Sequence, residues 1–182
     1  MRILVLGGIR SGKSQWAETA IDELAGEQRV RYLATGTPPE ADADWSARIT
    51  AHRNRRPSHW STIETVDVAT QLRSDTATPT LVDDVGGWLT AMMDRHDAAT
   101  GGPVAVDVED LIDAIRQFGS PLTLVSPEVG LTVVPATESG RRFADELGAL
   151  NQRLAELCDR VVLVVAGQPI TVKEPTPPEW QS

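Results

Sequence analysis

Residues 1–24 read MRILVLGGIRSGKSQWAETAIDEL, and the stretch GGIRSGKS at 7–14 fills every fixed position of the phosphate-loop pattern G-x-x-x-x-G-K-[ST]. In front of it Ile3, Leu4, Val5 and Leu6 form a short apolar run that suits a buried strand. Behind it, residues 15–24 are good helix formers with apolar positions at Trp16, Ala20 and Leu24. Strand, glycine loop and helix are the context in which this pattern has a mechanism. Gly7, Gly8 and Gly12 let the backbone curl so that the N–H groups of the loop, through Ile9, Arg10 and Ser11, point at phosphate oxygens. A helix starting near Lys13 adds the partial positive charge of its N-terminus. Lys13 is expected to reach the β- and γ-phosphates, and the Ser14 hydroxyl to hold Mg2+. The bland alternative, a turn that happens to be rich in glycine, leaves both flanks and all the fixed positions unexplained. The sequence is that of a protein binding a nucleoside triphosphate.

Bulk properties fit such a protein without selecting it. A chain of 182 residues with 41% hydrophobic residues can bury one substantial core. A net charge of −9 argues against nucleic acid as the main partner, because neutralising phosphates needs clustered Lys and Arg. Positive charge is concentrated locally instead, at Arg53, Arg55 and Arg56. The single cysteine, Cys158, forms no intrachain disulfide and builds no thiolate metal site; its amphipathic setting points to packing. The apolar run at the N-terminus meets the phosphate loop too early for a secretory leader, and no run has the length of a membrane span. A soluble, cytoplasmic protein is the expectation.

The pattern alternates along the chain. Residues 30–34 read as a second strand closed by Thr35 and Gly36, followed by a loop at 37–43 and a helical stretch at 44–55 that Pro57 stops. An apolar segment at 80–82 ends at Asp83 and Asp84; residues 108–118 have helical spacing and 122–125 read as a strand. A long amphipathic helix is expected at 138–157, then a β-branched, centrally buried strand at 161–165. Residues 170–172 are expected to pair with that strand as a hairpin across Gly167. This predicts an α/β phosphate-loop NTPase domain of RecA-like type, residues 1–174, with a mostly parallel sheet, helices on both faces and a C-terminal hairpin. Residues 175–182 are rich in proline and expected to fray.

Two further segments carry candidate chemistry. A phosphate-loop domain needs a carboxylate at the end of a hydrophobic strand to hold the magnesium shell or orient a nucleophile, and Leu81-Val82-Asp83 supplies it. Asp84 fits better as a cap of the next helix. Asp83 to Gly86 also matches the D-x-x-G of GTPase switches, but no Asn-Lys-x-Asp or Thr-Lys-x-Asp occurs to read guanine. In the run Arg48-Ile49-Thr50-Ala51-His52-Arg53-Asn54-Arg55-Arg56-Pro57, Trp45, Ile49 and His52 share a helix face. Spacing alone favours His52 as the polar end of an apolar stripe. Chemistry offers an alternative: neutral imidazole is a competent nucleophile toward phosphorus, and guanidinium groups suit a triphosphate and a departing pyrophosphate.

With these motifs placed, the chain resembles the bifunctional adenosylcobinamide kinase / adenosylcobinamide-phosphate guanylyltransferase family of cobalamin biosynthesis. The resemblance runs from the first strand to about Lys173. It rests on GGIRSGKS, Tyr32-Leu33-Ala34-Thr35, the His52-Arg53-x-x-Arg56-Pro57 run, His59-Trp60-x-Thr62-x-Glu64 and Leu81-Val82-Asp83. Glu128-Val129-Gly130, Val134-Pro135 and Phe143-x-Asp145-x-x-Gly148-x-x-Asn151-Gln152 complete it. The resemblance implies that GTP donates GMP to His52 and that the GMP passes to adenosylcobinamide phosphate. It also implies a prior phosphorylation of adenosylcobinamide by ATP or GTP. It further implies a nucleotide site lined by Ala34, Thr35, Gly36, Arg53, Asn54, Arg55, Arg56, Glu64 and Asp83, and a ring-shaped homotrimer. The chain departs from the family pattern in having Asp83 where glutamate is frequent, and Pro127 where asparagine is frequent.

Three rivals remain at this level. A plain small-molecule kinase accounts for the loop and Asp83 but gives His52 no task. A GTP-binding regulatory protein predicts tight GDP binding without phosphoryl transfer to cobinamide. An interaction module presenting Trp45, Trp60 and Trp88 wastes an intact phosphate loop.

Overall fold

The structure, a computed structural model, describes residues 1–36, 57, 59–96 and 104–175. The loop at 37–43, the helical stretch at 44–55 and all but the first residue of the tail at 175–182 therefore lie outside the described residues.

Seven strands form one sheet. In chain order they are β1 (Arg2–Gly7), β2 (Arg31–Ala34), β3 (Ser61–Glu64), β4 (Thr80–Asp83), β5 (Leu122–Pro127), β6 (Arg160–Val165) and β7 (Gln168–Lys173). Their spatial order is β3-β2-β4-β5-β1-β6-β7, parallel throughout except for the antiparallel β6–β7 pair. The described helices are α1 (Lys13–Ala25), α2 (Val68–Ser74), α3 (Val85–Arg95), α4 (Ala105–Gln117) and α5 (Glu138–Leu157).

Side chains on successive strand residues point to opposite faces, so each apolar strand feeds two cores. On one face Ile3, Val5, Tyr32, Leu81 and Val162 pack with Ala17 and Ile21 of α1. On the other, Leu4, Leu33, Val82 and Leu124 pack with Leu72, Leu89, Ile112 and Leu147 from α2 to α5. Helices thus cover both faces, as expected, but unevenly. The buried positions Ala17, Ala20 and Ile21 of α1 follow the i, i+3, i+4 stripe of an amphipathic helix. The helix starts at a left-handed Gly12 with φ 94°.

The hairpin expected at Gly167 is present. Ala166 and Gly167 both have positive φ, 51° and 77°, the signature of a two-residue type I′ turn. The strand expected as central is β6, which is only second from the edge, because β7 alone lies beyond it. Three elements carry weaker sequence signals. Strand β3 is an edge strand of four residues with one apolar side chain, Ile63. Helix α2 is only seven residues long and begins at Asp67, whose carboxylate accepts from the Thr70 amide. Helix α3 follows directly on β4. Trp60 and Trp88 are 8% and 3% exposed and belong to the cores, which removes them as an interaction surface; Trp45 lies outside the described residues. Cys158 is buried beside α5 and its thiol is pushed up to about 12, mainly by burial, so it serves packing. Among the described residues no helix is long and apolar enough to cross a membrane.

Leu33 is fully buried in β2, between β3 and β4. Leu33→Ala removes its side chain from a packed interior and is expected to cost about 3 kcal/mol. Urea unfolding followed by circular dichroism should show a lower midpoint with an unchanged slope.

Candidate nucleotide-binding site

The phosphate loop leaves the C-terminal end of β1 and is shaped by contacts that side chains would block. A Cβ at Gly7 would meet the Ser11 side chain and come within 2.8 Å of the Val164 carbonyl oxygen. A Cβ at Gly12 would stand 3.1 Å from the Gly167 Cα, and its φ of 94° already favours glycine. Arg10 also adopts a left-handed backbone, φ 58°. Within the loop the Ser11 amide donates to the Gly8 carbonyl at 3.3 Å, and the Lys13 amide to the Ser11 hydroxyl at 3.3 Å. The Gly167 amide, in the turn between β6 and β7, donates to the Ser11 carbonyl at 2.7 Å. The Lys13 ammonium reaches back to the Gly8 carbonyl at 3.5 Å. Gly8 and Ile9 face open space, and Ser14 opens α1 with its side chain half-buried.

Across the sheet, parallel register brings a row of residues to the same edge: Glu64, Ala34, Asp83 and Val125 are successive partners. Asp83 ends β4, and its carboxylate accepts from the Tyr32 hydroxyl at 2.5 Å. Asp84 caps α3, its Oδ1 accepting from the Gly87 amide at 2.7 Å. The two acids therefore divide the tasks as their positions suggest, Asp84 closing a helix and Asp83 facing the strand-end crevice. The Thr35 hydroxyl donates to the Asp84 carbonyl, and the Thr35 amide to the Asp83 carbonyl at 3.1 Å, so the β2 end is tied to the β4 end. A Cβ at Gly86 would come within 2.8 Å of Pro127, so the glycine of the D-x-x-G match serves close packing at the start of α3.

Electrostatics separates the acids further. Burial, and then the charge of Asp83, push the Asp84 carboxyl above its ordinary range; the Gly87 amide and the Lys13 ammonium oppose that shift. The charge of Lys13 in the loop is thus felt by the Asp84 carboxyl at the start of α3. Hydroxyl and carboxylate oxygens, Ser14 and Asp83, are the hard donors that suit Mg2+, which keeps several of its waters and takes few protein ligands. No group of three or more His, Cys, Asp or Glu is assembled for a metal among the described residues.

Not every expected site residue is brought close. Glu64 is exposed on β3, with β2, β4 and β5 between it and β1. At about 4.8 Å per strand that is about 19 Å, a span only a nucleotide lying along the strand ends would bridge. His52, Arg53, Asn54, Arg55 and Arg56 lie outside the described residues. Two contacts escaped sequence reasoning, the bond from Tyr32 to Asp83 and that from Gly167 to the loop. Tyr32 is a buried hydroxyl in an apolar strand, and that oddity was its signal. Gly167 is a turn residue whose contact with the loop has no local sequence signal.

Comparisons with known proteins agree with this geometry. The family described as cobinamide kinase / cobinamide phosphate guanyltransferase matches residues 3–172. The chain is 40% identical over 178 residues to the bifunctional adenosylcobalamin biosynthesis protein CobP of Pseudomonas aeruginosa, covering 95% of this chain and 98% of the relative. It is 33% identical over 186 residues to CobU of Escherichia coli, also described as bifunctional, covering 95% of this chain and 100% of the relative. Among solved structures, a prototypical ATPase of the type III secretion system of pathogenic bacteria aligns with a TM-score of 0.54 at 14% identity, over 89% of this chain and 51% of that one. A second ATPase domain aligns with a TM-score of 0.53 at 11% identity, over 97% of this chain and 78% of that one. These two similarities bear on fold alone, and they agree with the phosphate-loop NTPase architecture.

Because the Asp84 carboxyl is raised, the folded chain holds that proton more tightly than the unfolded chain does. Its ionisation therefore removes stability as pH rises from 3.8, the ordinary value, through the raised one. Asp84→Asn keeps the oxygen that accepts from Gly87 and deletes the charge. Without nucleotide, it is expected to raise the urea midpoint at pH 7 and to leave it unchanged at about pH 3, where both forms are already protonated.

Proposed function

The chain belongs to the cobinamide kinase / cobinamide phosphate guanyltransferase family, and from that premise we propose that one phosphate loop serves both of the family's reactions, with His52 as the covalent carrier. The protein is a transferase of adenosylcobalamin biosynthesis. Its catalytic unit in this reading is residues 1–174, working in the cytoplasm as a homotrimer.

The observation that carries the reading is the complete phosphate loop at the end of β1 with Asp83 at the end of β4 on the same sheet edge. In the guanylyl step, loop amides and Lys13 hold the triphosphate, and Arg53, Arg55 and Arg56 carry charge to the pyrophosphate, with Asn54 among them. The neutral His52 imidazole attacks the α-phosphorus in line with the leaving pyrophosphate, forming an N–P bond as the P–O bond to pyrophosphate breaks. The phosphate of adenosylcobinamide phosphate then attacks the same phosphorus, forming adenosylcobinamide-GDP and returning His52 free. In the kinase step the loop presents the γ-phosphate of ATP or GTP to the cobinamide hydroxyl. Ala34, Thr35, Gly36 and Glu64 would line the nucleoside end along the strand ends. Bound Mg2+, held by Ser14 and through water by Asp83, would neutralise phosphate charge.

The test is incubation with α-labelled GTP and Mg2+ without corrinoid, followed by intact mass measurement. The expected result is a GMP adduct on the native chain, labile to acid, stable to alkali and absent from His52→Ala. Binding of GTP with no adduct overturns the guanylyl step and leaves a plain kinase. A second expectation concerns Tyr32. Tyr32→Phe removes the hydroxyl that holds the Asp83 carboxylate in position, and the Mg2+ concentration for half-maximal adduct formation should rise about tenfold, in keeping with one hydrogen bond to a charged group.

A further inference from the structure

A cavity of 530 Å³ lies on the α5 face of the sheet, away from α1, and the nucleotide reading leaves it unused. Its inner end shares two residues with the root of the phosphate loop. Leu6 is the residue before Gly7, and the Glu128 amide donates to the Gly7 carbonyl at 3.1 Å. Its outer rim includes Val133, Val134 and Val172, which are 92%, 73% and 61% exposed. Three valines in water around one opening are an apolar surface with nothing on it among the described residues.

The lining selects a ligand class. Its two cations are turned to backbone carbonyls: Arg141 donates to those of Pro135 at 3.1 Å and Ala136 at 2.9 Å, and Lys173 to those of Ala155 at 2.8 Å and Cys158 at 2.6 Å. Glu128 and Asp145 add negative charge, and Gln152 adds an exposed amide. A second triphosphate would meet carboxylates there and find no cation aimed at it. An amphipathic molecule with amide groups and no anionic group finds apolar wall on one side and hydrogen-bonding partners on the other.

Gly148 is the second observation. It sits inside α5, where glycine is the poorest helix former after proline. A Cβ there would meet nothing within 4 Å, so the chain's own packing gives no reason for it. It lines the cavity. A glycine kept at helical cost beside open space fits a wall that another molecule approaches closely.

We propose that this cavity binds the alcohol acceptor, an amide-bearing alkanol without an anionic group, with its hydroxyl end toward Gly7 and its apolar face against Val133 and Val134. The inference rests on the two-step reading above.

The experiment uses the full chain and measures acceptor phosphorylation against cobinamide concentration at saturating GTP, alongside the GMP adduct formed from GTP alone. Gly148→Phe should raise KM for cobinamide at least tenfold while the adduct, which needs no acceptor, still forms at its native rate; Gly148→Ala should do much less. A native KM in Gly148→Phe overturns the proposal, as does an unchanged KM with a changed molecular mass in light scattering, which would give the cavity to a contact between copies. If Gly148→Phe is insoluble, Val134→Lys decides by the same criterion, because its exposed position loses no core packing. Absence of any adduct and any phosphorylation in the native chain would instead sink the underlying reading and is seen separately.

Discussion

Strand β1 is wedged between β5 and β6, and the rest of the molecule depends on that insertion. From Ile3 to Gly7 it pairs residue by residue with both neighbours, so its backbone donors and acceptors are satisfied while its side chains are buried on both faces. A strand so held ends at a fixed point. The loop that follows can therefore be tight, with Gly7 pressed on the Val164 carbonyl and Gly12 on Gly167. Parallel strands also finish at one edge, which is why β2 and β4 deliver Thr35, Asp83 and Asp84 beside the loop. The crevice is a by-product of topology, and chemistry was fitted to it.

Charge in the crevice is arranged economically. Asp83 keeps its carboxylate toward the edge under one tyrosine hydroxyl. Asp84 is spent on a helix cap, and its carboxyl is unwelcome as an anion because burial and Asp83 both oppose its charge. The charge of Lys13 opposes that shift at Asp84 until a triphosphate claims it. The edge is therefore poised: cation and acids satisfy each other partly, and incoming phosphates and a divalent cation would complete the set.

Much of this was legible before any fold was drawn. The phosphate loop, the long α5 and the Gly167 hairpin each have a local cause written in a few adjacent residues, whether a glycine pattern, a 20-residue apolar stripe or a turn dipeptide. Elements whose cause is remote were harder. Strand β3 is a strand because β2 offers it a ladder, and its sequence STIE shows only one apolar position. Strand β6 looks central by composition yet lies second from the edge, since its β-branched residues report burial by helices and say nothing of which strands lie beyond it. In the site, Lys13 and Asp83 were visible from pattern. The bond from Tyr32 to Asp83 spans 51 positions and follows from register alone.

The hydrogen bond from the Gly167 amide to the Ser11 carbonyl has a consequence for how the protein is made. Residues 7–14 are synthesised well before β5 and β6, the strands that clamp β1, and before the turn that braces the loop. A nascent chain thus carries a complete phosphate-loop sequence with nothing to hold its curl. The shape of the loop is therefore completed only when the turn between β6 and β7 reaches it, so the nucleotide site depends on a contact made from far along the chain.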